Sequence, residues 1–319
     1  MKNIVYILLI FCCLGVKAQN ASNYQEVIEQ FQKFYNVQNG EAVYSLFDTT
    51  MKQALTLEQT IGFVNQSFVQ LGEMKSFEFL RKEERWVYLV KYERTELDMF
   101  IVLSAKNLIT GLLFKPHKPD NLPEVERNTT KMFLPFHGEW NVFWGGTEVS
   151  KNYHVAYENQ QYAYDILIIK DGKSYDGDPK KNESYYAFGK DIIAPCAAKV
   201  VKVITGVHDN VPGELNPQQL TGNSVVLETA NKEYILFAHL KKGTVAVQEG
   251  QEIKQGDLLG QCGNSGNTTE AHLHLSLQNV INMDIATGGK LYFDKILVNG
   301  EVKEDYLPER NDKIQNIKL

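Results

Sequence analysis

Near its start the chain carries Lys2, an apolar run from Ile4 to Val16, and then Val16-Lys17-Ala18 before Gln19. A basic start, a short apolar core and a small residue at its end predict a secretory signal peptide over residues 1–18. The run is too short to span a bilayer. Phe11 rather than a small residue precedes Cys12, which argues against lipid attachment there. Beyond it, Val27, Ile28, Phe31, Phe34 and Tyr35 recur at helical spacing and predict an amphipathic helix. Glu58 to Leu71 predicts a second, with Ile61, Phe63, Val64 and Phe68 on its buried side and Gly72 as its stop. Period-two alternation then predicts strands at Ser76–Leu80, Arg85–Tyr92, Glu96–Leu103 and Leu108–Phe114, with a turn at Asn107.

Residues 22–114 therefore read as a small α+β domain without a catalytic constellation of its own. Pro116, Pro119, Pro123 and Pro135 punctuate a polar stretch, which predicts a linker over residues 115–135. From Phe136 the pattern changes to short strands separated by Asp171-Gly172, Asp176-Gly177, Pro212-Gly213 and the glycines of 263–266. This predicts a mainly antiparallel β domain over 136–280. An extension over 281–319 follows, with an added strand at Lys290–Val298 and a loose polar tail. The order of helices and then antiparallel strands in 22–114 resembles the cone-shaped nuclear-transport-factor-2-like fold, small extracellular versions of which precede bacterial enzymes.

Composition narrows the class. With 43% hydrophobic and 23% charged residues, the chain is neither fibrous nor wholly disordered. Its length of 319 residues suggests two domains. The formal net charge is -6, and loss of Lys2 and Lys17 with the leader makes it more negative by two. An acidic chain without a Lys/Arg cluster lacks the charge that nucleic acid binding requires. The expected location is outside the cytoplasm, periplasmic or secreted.

The chemistry concentrates after residue 150. In Ala271-His272-Leu273-His274-Leu275-Ser276-Leu277 the alternation places His272, His274 and Ser276 on one strand face and the leucines on the other. On its own this could be two solvated histidines on an amphipathic strand. Upstream stands the glycine-rich Gly260-Gln261-Cys262-Gly263-Asn264-Ser265-Gly266-Asn267, whose glycines permit tight turning and close approach. His239 ends the apolar strand Tyr234–Ala238, either aimed into a cleft or as a half-exposed terminator. Asn152-Tyr153-His154 precedes Tyr162-Ala163-Tyr164-Asp165. Asp165 interrupts an apolar strand, which is costly unless the carboxylate is paired, metal-bound or at a wet edge.

Together, over roughly residues 135–280, these motifs resemble the lysostaphin/LytM-type zinc endopeptidases of peptidoglycan. The order of early His and Asp, Ala-His-Leu, glycine loop and His-Leu-His carries the resemblance, supported by the hairpin-like Val247–Gly260. It implies a lysostaphin-like, barrel-sandwich type fold. It implies zinc ligands at His154, Asp165 and His274, and catalytic histidines at His239 and His272. Two departures stand out. Gln161 occupies the position four before Asp165 where the commonest family pattern has histidine, so His154 is taken instead, and Ala271 replaces the usual proline before His-Leu-His. No HExxH helix is present, so a histidine must do the proton work. Asp191 ranks below Asp165 as a ligand, and His117, His137 and His208 read as loop or linker residues. The mature cysteines, Cys196 and Cys262, could form a disulfide in an oxidising compartment.

The resemblance implies an exported zinc metalloendopeptidase acting on peptidoglycan peptides. The N-terminal domain would cover the cleft or bind an envelope partner, and the sequence carries no signal for oligomeric state. Two rivals stand beside it. One is a non-catalytic scaffold or activator of cell-wall hydrolases that keeps the fold. The other is a biotinyl- or lipoyl-like carrier, suggested by Gly250, Ile253, Gly256 and Asp257 but lacking the modified-lysine motif.

Overall fold

The structure is a computed structural model that describes residues 21–317; the predicted leader lies outside the described residues. The chain divides into two compact units, one ending at Pro119 and the other beginning at Asp120.

The N-terminal unit has four helices, α1 (Ala21–Asn36), α2 (Gly40–Ser45), α3 (Thr49–Ala54) and α4 (Leu57–Leu71). A four-stranded antiparallel sheet follows, β1 (Met74–Lys82), β2 (Trp86–Tyr92), β3 (Glu96–Leu103) and β4 (Ile109–Pro116). Side chains start the later helices. Asn39 accepts from Ala42 N, Asp48 from Met51 N, and Thr56 with Gln59 closes a reciprocal capping box on α4. Gly72, at φ +78°, ends α4. The apolar stripe of α1 buries Ile28, Phe31 and Tyr35 in one core with Val64 of α4 and with Val90, Met99 and Ile101 of the sheet. Each such side chain contributes about 1.5–3 kcal/mol by leaving water, so the stripe decides which way α1 faces. Short α2 and α3 have no periodic signature, being barely more than one turn each. They persist because caps and packing supply what so short a helix lacks.

The C-terminal unit is built almost wholly from strands. In chain order these are β5 (Trp140–Trp144), β6 (Tyr164–Leu167), β7 (Asp191–Ile193), β8 (Ala198–Ile204) and β9 (Asn223–Glu228). They continue with β10 (Tyr234–Leu240), β11 (Glu252–Ile253), β12 (Leu258–Gln261) and β13 (Leu273–Gln278). The last four are β14 (Gly288–Gly289), β15 (Phe293–Val298), β16 (Glu301–Tyr306) and β17 (Lys313–Asn316). The main sheet runs β11-β8-β9-β10-β13-β6-β5-β17-β15-β16, with β14 beside β13, and every pairing is antiparallel. It stays open at both ends rather than closing into a barrel. A two-stranded sheet, β7 with β12, stands apart from it.

Leu273, Leu275 and Leu277 of β13 enter the core with Phe237, Tyr164, Trp140 and Ile166. The opposite face of β13 therefore carries the histidines, as its alternation predicts. The segment expected as a linker has other partners in the structure. Residues to Pro116 complete β4, whereas Met132 and Leu134 are buried in the C-terminal core and Phe133 N donates to Pro195 O. The tail expected to be loose is also ordered. β17 inserts between β5 and β15, and Ile314 is fully buried. No described helix is long and apolar enough to cross a membrane.

Candidate metal centre

Three chain segments converge on the polar face of the main sheet. β6 and β13 pair so that Asp165 lies directly opposite His274, and Ala238 of β10 flanks His274 on the other side. His154 arrives from a 3-10 turn, Tyr153–Ala156, that precedes β6. One donor atom from each of His154, Asp165 and His274 lies within 4.8 Å of the other two. All three residues are buried. Asp165 Oδ1 is 2.9 Å from His274 Nδ1, and Asp165 Oδ2 is 3.6 Å from His154 Nε2.

His239 and His272 open onto the same cleft, with ring centroids 4.9 Å apart. His239 stands at a β-bulge, where the pairing of β10 with β9 slips between Phe237 and Leu240. Its φ of +61° is rare for a residue with a side chain and re-aims the ring away from strand alternation. Such strain, of order 1–3 kcal/mol, persists because the surroundings hold it: His239 N donates to Thr221 O, and its Nδ1–H donates to Ser265 O at 2.8 Å. His272 is fixed in the same manner, its Nδ1–H donating to Glu270 O at 2.9 Å with Thr268 Oγ1 alongside. Both rings therefore turn Nε2 toward the cleft, and His272 Nε2 lies 3.4 Å from Asp165 Oδ1.

The electrostatics follow from burial and proximity. Burial pushes the His154 imidazole down to about 4, against the pull of the Asp165 carboxylate. Burial, aided by His272 and His274, holds His239 well below the usual histidine range. Burial opposes charge on Asp165 as well, but the three histidines around it outweigh that and keep its carboxyl well below the usual carboxylate range. Burial opposes charge on His272, but Asp165 and the Glu270 carbonyl together outweigh it, so its net shift is upward.

Several residues of the site carried no role in the sequence reading. The glycine loop is clamped by Asp209, which accepts from Asn264 N at 2.8 Å and from Lys242 N at 3.0 Å. Ser265 Oγ bridges Leu240 O and Asn223 N, which ties the loop to β9 and β10. An aromatic wall of Trp144, Tyr153 and Tyr157 lines one side of a cleft of roughly 480 Å³, and Leu215 and Leu220 line it as well. Asp191 is exposed and accepts from Gln261 Nε2, outside the cluster. His117 pairs with Asp98 in the N-terminal unit, and His208 lies beside Lys242. Cys196 and Cys262 are buried free thiols.

The donor set suits a metal ion. His154 Nε2 and His274 Nε2 are buried without a hydrogen-bond partner among the described residues, a costly state for bare polar atoms. Two imidazoles and a carboxylate form a three-ligand set that leaves further positions open, the pattern of catalytic rather than structural zinc.

Residues 185–286 match the model of peptidase family M23. The matched residues lie within the C-terminal unit and contain His239, His272 and His274. Residues 29–112 match a protein family of unknown function, DUF3887. An endolysin of Staphylococcus phage 2638A is 29% identical over 125 residues, which is 35% of this chain and 26% of the endolysin. The matched region thus spans about a quarter of that relative's length. Among solved structures, the catalytic domain of lysostaphin from Staphylococcus simulans is 22% identical, covering 37% of this chain and 87% of that one, with a TM-score of 0.24. A zinc containing peptidase from Vibrio cholerae is 14% identical, covering 63% of this chain and 48% of that one, with a TM-score of 0.27.

Proposed function

We propose that this protein is an exported zinc metalloendopeptidase that hydrolyses peptide cross-links or stem peptides of peptidoglycan. The observation that carries the reading is the convergence of His154, Asp165 and His274 beside two further histidines whose Nε2 atoms face one cleft. His154, Asp165 and His274 would hold the ion. A zinc ion bound by these residues would polarise the scissile carbonyl and lower the pKa of a water toward neutrality.

The remaining work belongs to the chain itself. With Nδ1–H tied to a carbonyl, His272 and His239 each keep Nε2 for accepting a proton and giving it up again. His272, with its Nε2 nearest Asp165, takes the proton of the attacking water. His239, across the cleft, serves the developing oxyanion or the leaving amine. The fixed rings mean that neither needs to reorganise during the reaction, the geometric condition for efficient proton transfer. The cleft walls would hold an extended peptide and limit the approach of bulk water.

The test is incubation of zinc-loaded mature protein, beside its His272→Ala variant, with purified peptidoglycan, reading new free amines by mass spectrometry. Release by the wild type alone supports the reading and identifies the bond. Absence of both release and zinc would make the scaffold or activator role the better account.

A further inference from the structure

His154 reaches the cluster from a 3-10 turn rather than from a strand, so no ladder register fixes its ring. Something else must decide which of its two nitrogens carries the proton. The residue two positions earlier does so. Asn152 is fully buried, and its Nδ2 donates to two backbone carbonyls, Ala163 O at 2.9 Å and Gly146 O at 3.1 Å. Carbonyl oxygens only accept, so both amide protons are committed and Oδ1 is turned the other way. There it lies 2.9 Å from His154 Nδ1 and 3.2 Å from His154 N. An amide oxygen also only accepts, so Nδ1 must carry the proton. His154 Nε2, buried and unpartnered on the side of Asp165, is left with its lone pair.

We propose that Asn152 is a positioning residue of the metal centre: it fixes His154 in the Nδ1–H tautomer and so presents Nε2 as a metal donor. This rests on the metal-site reading above and deepens it. It also accounts for the spacing in Asn152-Tyr153-His154. An asparagine capping a tight turn accepts from the backbone N–H two residues on, which brings the ring of that same residue within reach of its oxygen. The amide does this while bridging the 146 loop to the start of β6, so its orientation is held from both sides. Groups that orient a ligating histidine through its second nitrogen are worth 10–100-fold in metal affinity.

The experiment uses the mature protein and its Asn152→Ala and Asn152→Asp variants. Long-range proton–nitrogen NMR of the metal-free proteins near pH 7 reads the tautomer of His154, assigned with His154→Gln. Competition against a chromophoric chelator reads the zinc dissociation constant. The wild type should show His154 as the Nδ1–H form. Asn152→Ala should lose that preference and bind zinc 10–100-fold more weakly. Asn152→Asp keeps an acceptor toward Nδ1 but sets its other oxygen against two carbonyls. It should retain the tautomer and most of the affinity while melting at lower temperature, which a merely structural asparagine would not do. An Nε2–H tautomer in the wild type overturns the proposal even if a variant fails to fold. So does an Asn152→Ala protein with unchanged tautomer and zinc affinity. A wild type that binds no zinc overturns the metal reading instead, and the tautomer then judges Asn152 by itself.

Discussion

Alanine at Gly266 and alanine at Gly250 separate the two reasons a protein keeps a glycine. Both have left-handed backbone, φ +89° and +87°. A side chain there costs about 1–2 kcal/mol at either position. They differ in surroundings. A Cβ at Gly250 meets nothing within 4 Å, whereas at Gly266 it would stand 2.7 Å from Gly222 Cα and closer still to Gly222 N and Gln219 O. Ordinary contact begins near 3.4 Å, so backbone must give by about 0.7 Å at the least distorted of these contacts. Overpacking of this kind adds roughly 1–3 kcal/mol, giving about 2–5 kcal/mol for Gly266→Ala against about 1–2 for Gly250→Ala.

The displacement also has a chemical consequence. Gly266 follows Ser265, whose carbonyl accepts the His239 Nδ1–H at 2.8 Å. A shift of about 0.7 Å along that bond would take it to the limit of a hydrogen bond and free the ring. Misplacement on this scale costs up to about 100-fold in rate. The assay is urea unfolding of both variants by tryptophan fluorescence. In a Trp86→Phe background only Trp140 and Trp144 of the C-terminal unit report. Peptidoglycan hydrolysis is measured alongside. Equal midpoints for the two variants, with equal activity, would refute the claim that the glycine loop holds His239 by close packing.

Three further outcomes follow from the site. His272→Ala should retain one equivalent of zinc while hydrolysis falls by about 10²–10⁴-fold, and His274→Ala should lose the metal; plasma mass spectrometry of both decides, and loss of zinc from the first would sink the assignment. In metal-free protein, burial keeps His154 neutral down to about pH 4, whereas the unfolded chain protonates it near pH 6.5. Its folded pKa is depressed, so its stabilising contribution is complete above pH 6.5 and is lost as pH falls toward 4. Acidification from pH 7 to 4.5 should therefore cost the wild type about 2–3 kcal/mol more than His154→Gln, and parallel losses in urea titrations would contradict this. Burial pushes the Cys196 thiol up to about 12 and raises Cys262 as well. Neither should react with a disulfide reagent at pH 8 until the mature protein is denatured, when two thiols should appear; none on denaturation would mean a disulfide.

Much of the local structure was readable in advance because it depends on near neighbours. The α1 stripe and the β13 alternation are periodic, and periodicity determines which face is buried. The alternation of β13 thus puts His272 and His274 on one side of the strand and its leucines in the core on the other. Short α2 and α3 were not readable, since caps at Asn39 and Asp48 set their starts and no stripe runs through so few residues. Nor was β17, where Lys313-Ile314-Gln315-Asn316 has a single apolar residue and becomes a strand only because β5 and β15 offer open edges.

The residue types able to do chemistry, and the face they share where a strand alternates, are properties of the local chain. The tertiary structure alone decided that Asp165 stands opposite His274, because register belongs to a pair of strands 109 residues apart in the chain. It decided that His239 faces the cleft, because a bulge arises from the mismatch between two strands and leaves no mark in either. It also decided the proton position on His154, because that depends on carbonyls of Gly146 and Ala163, which meet the Asn152 amide only once the chain has closed around them.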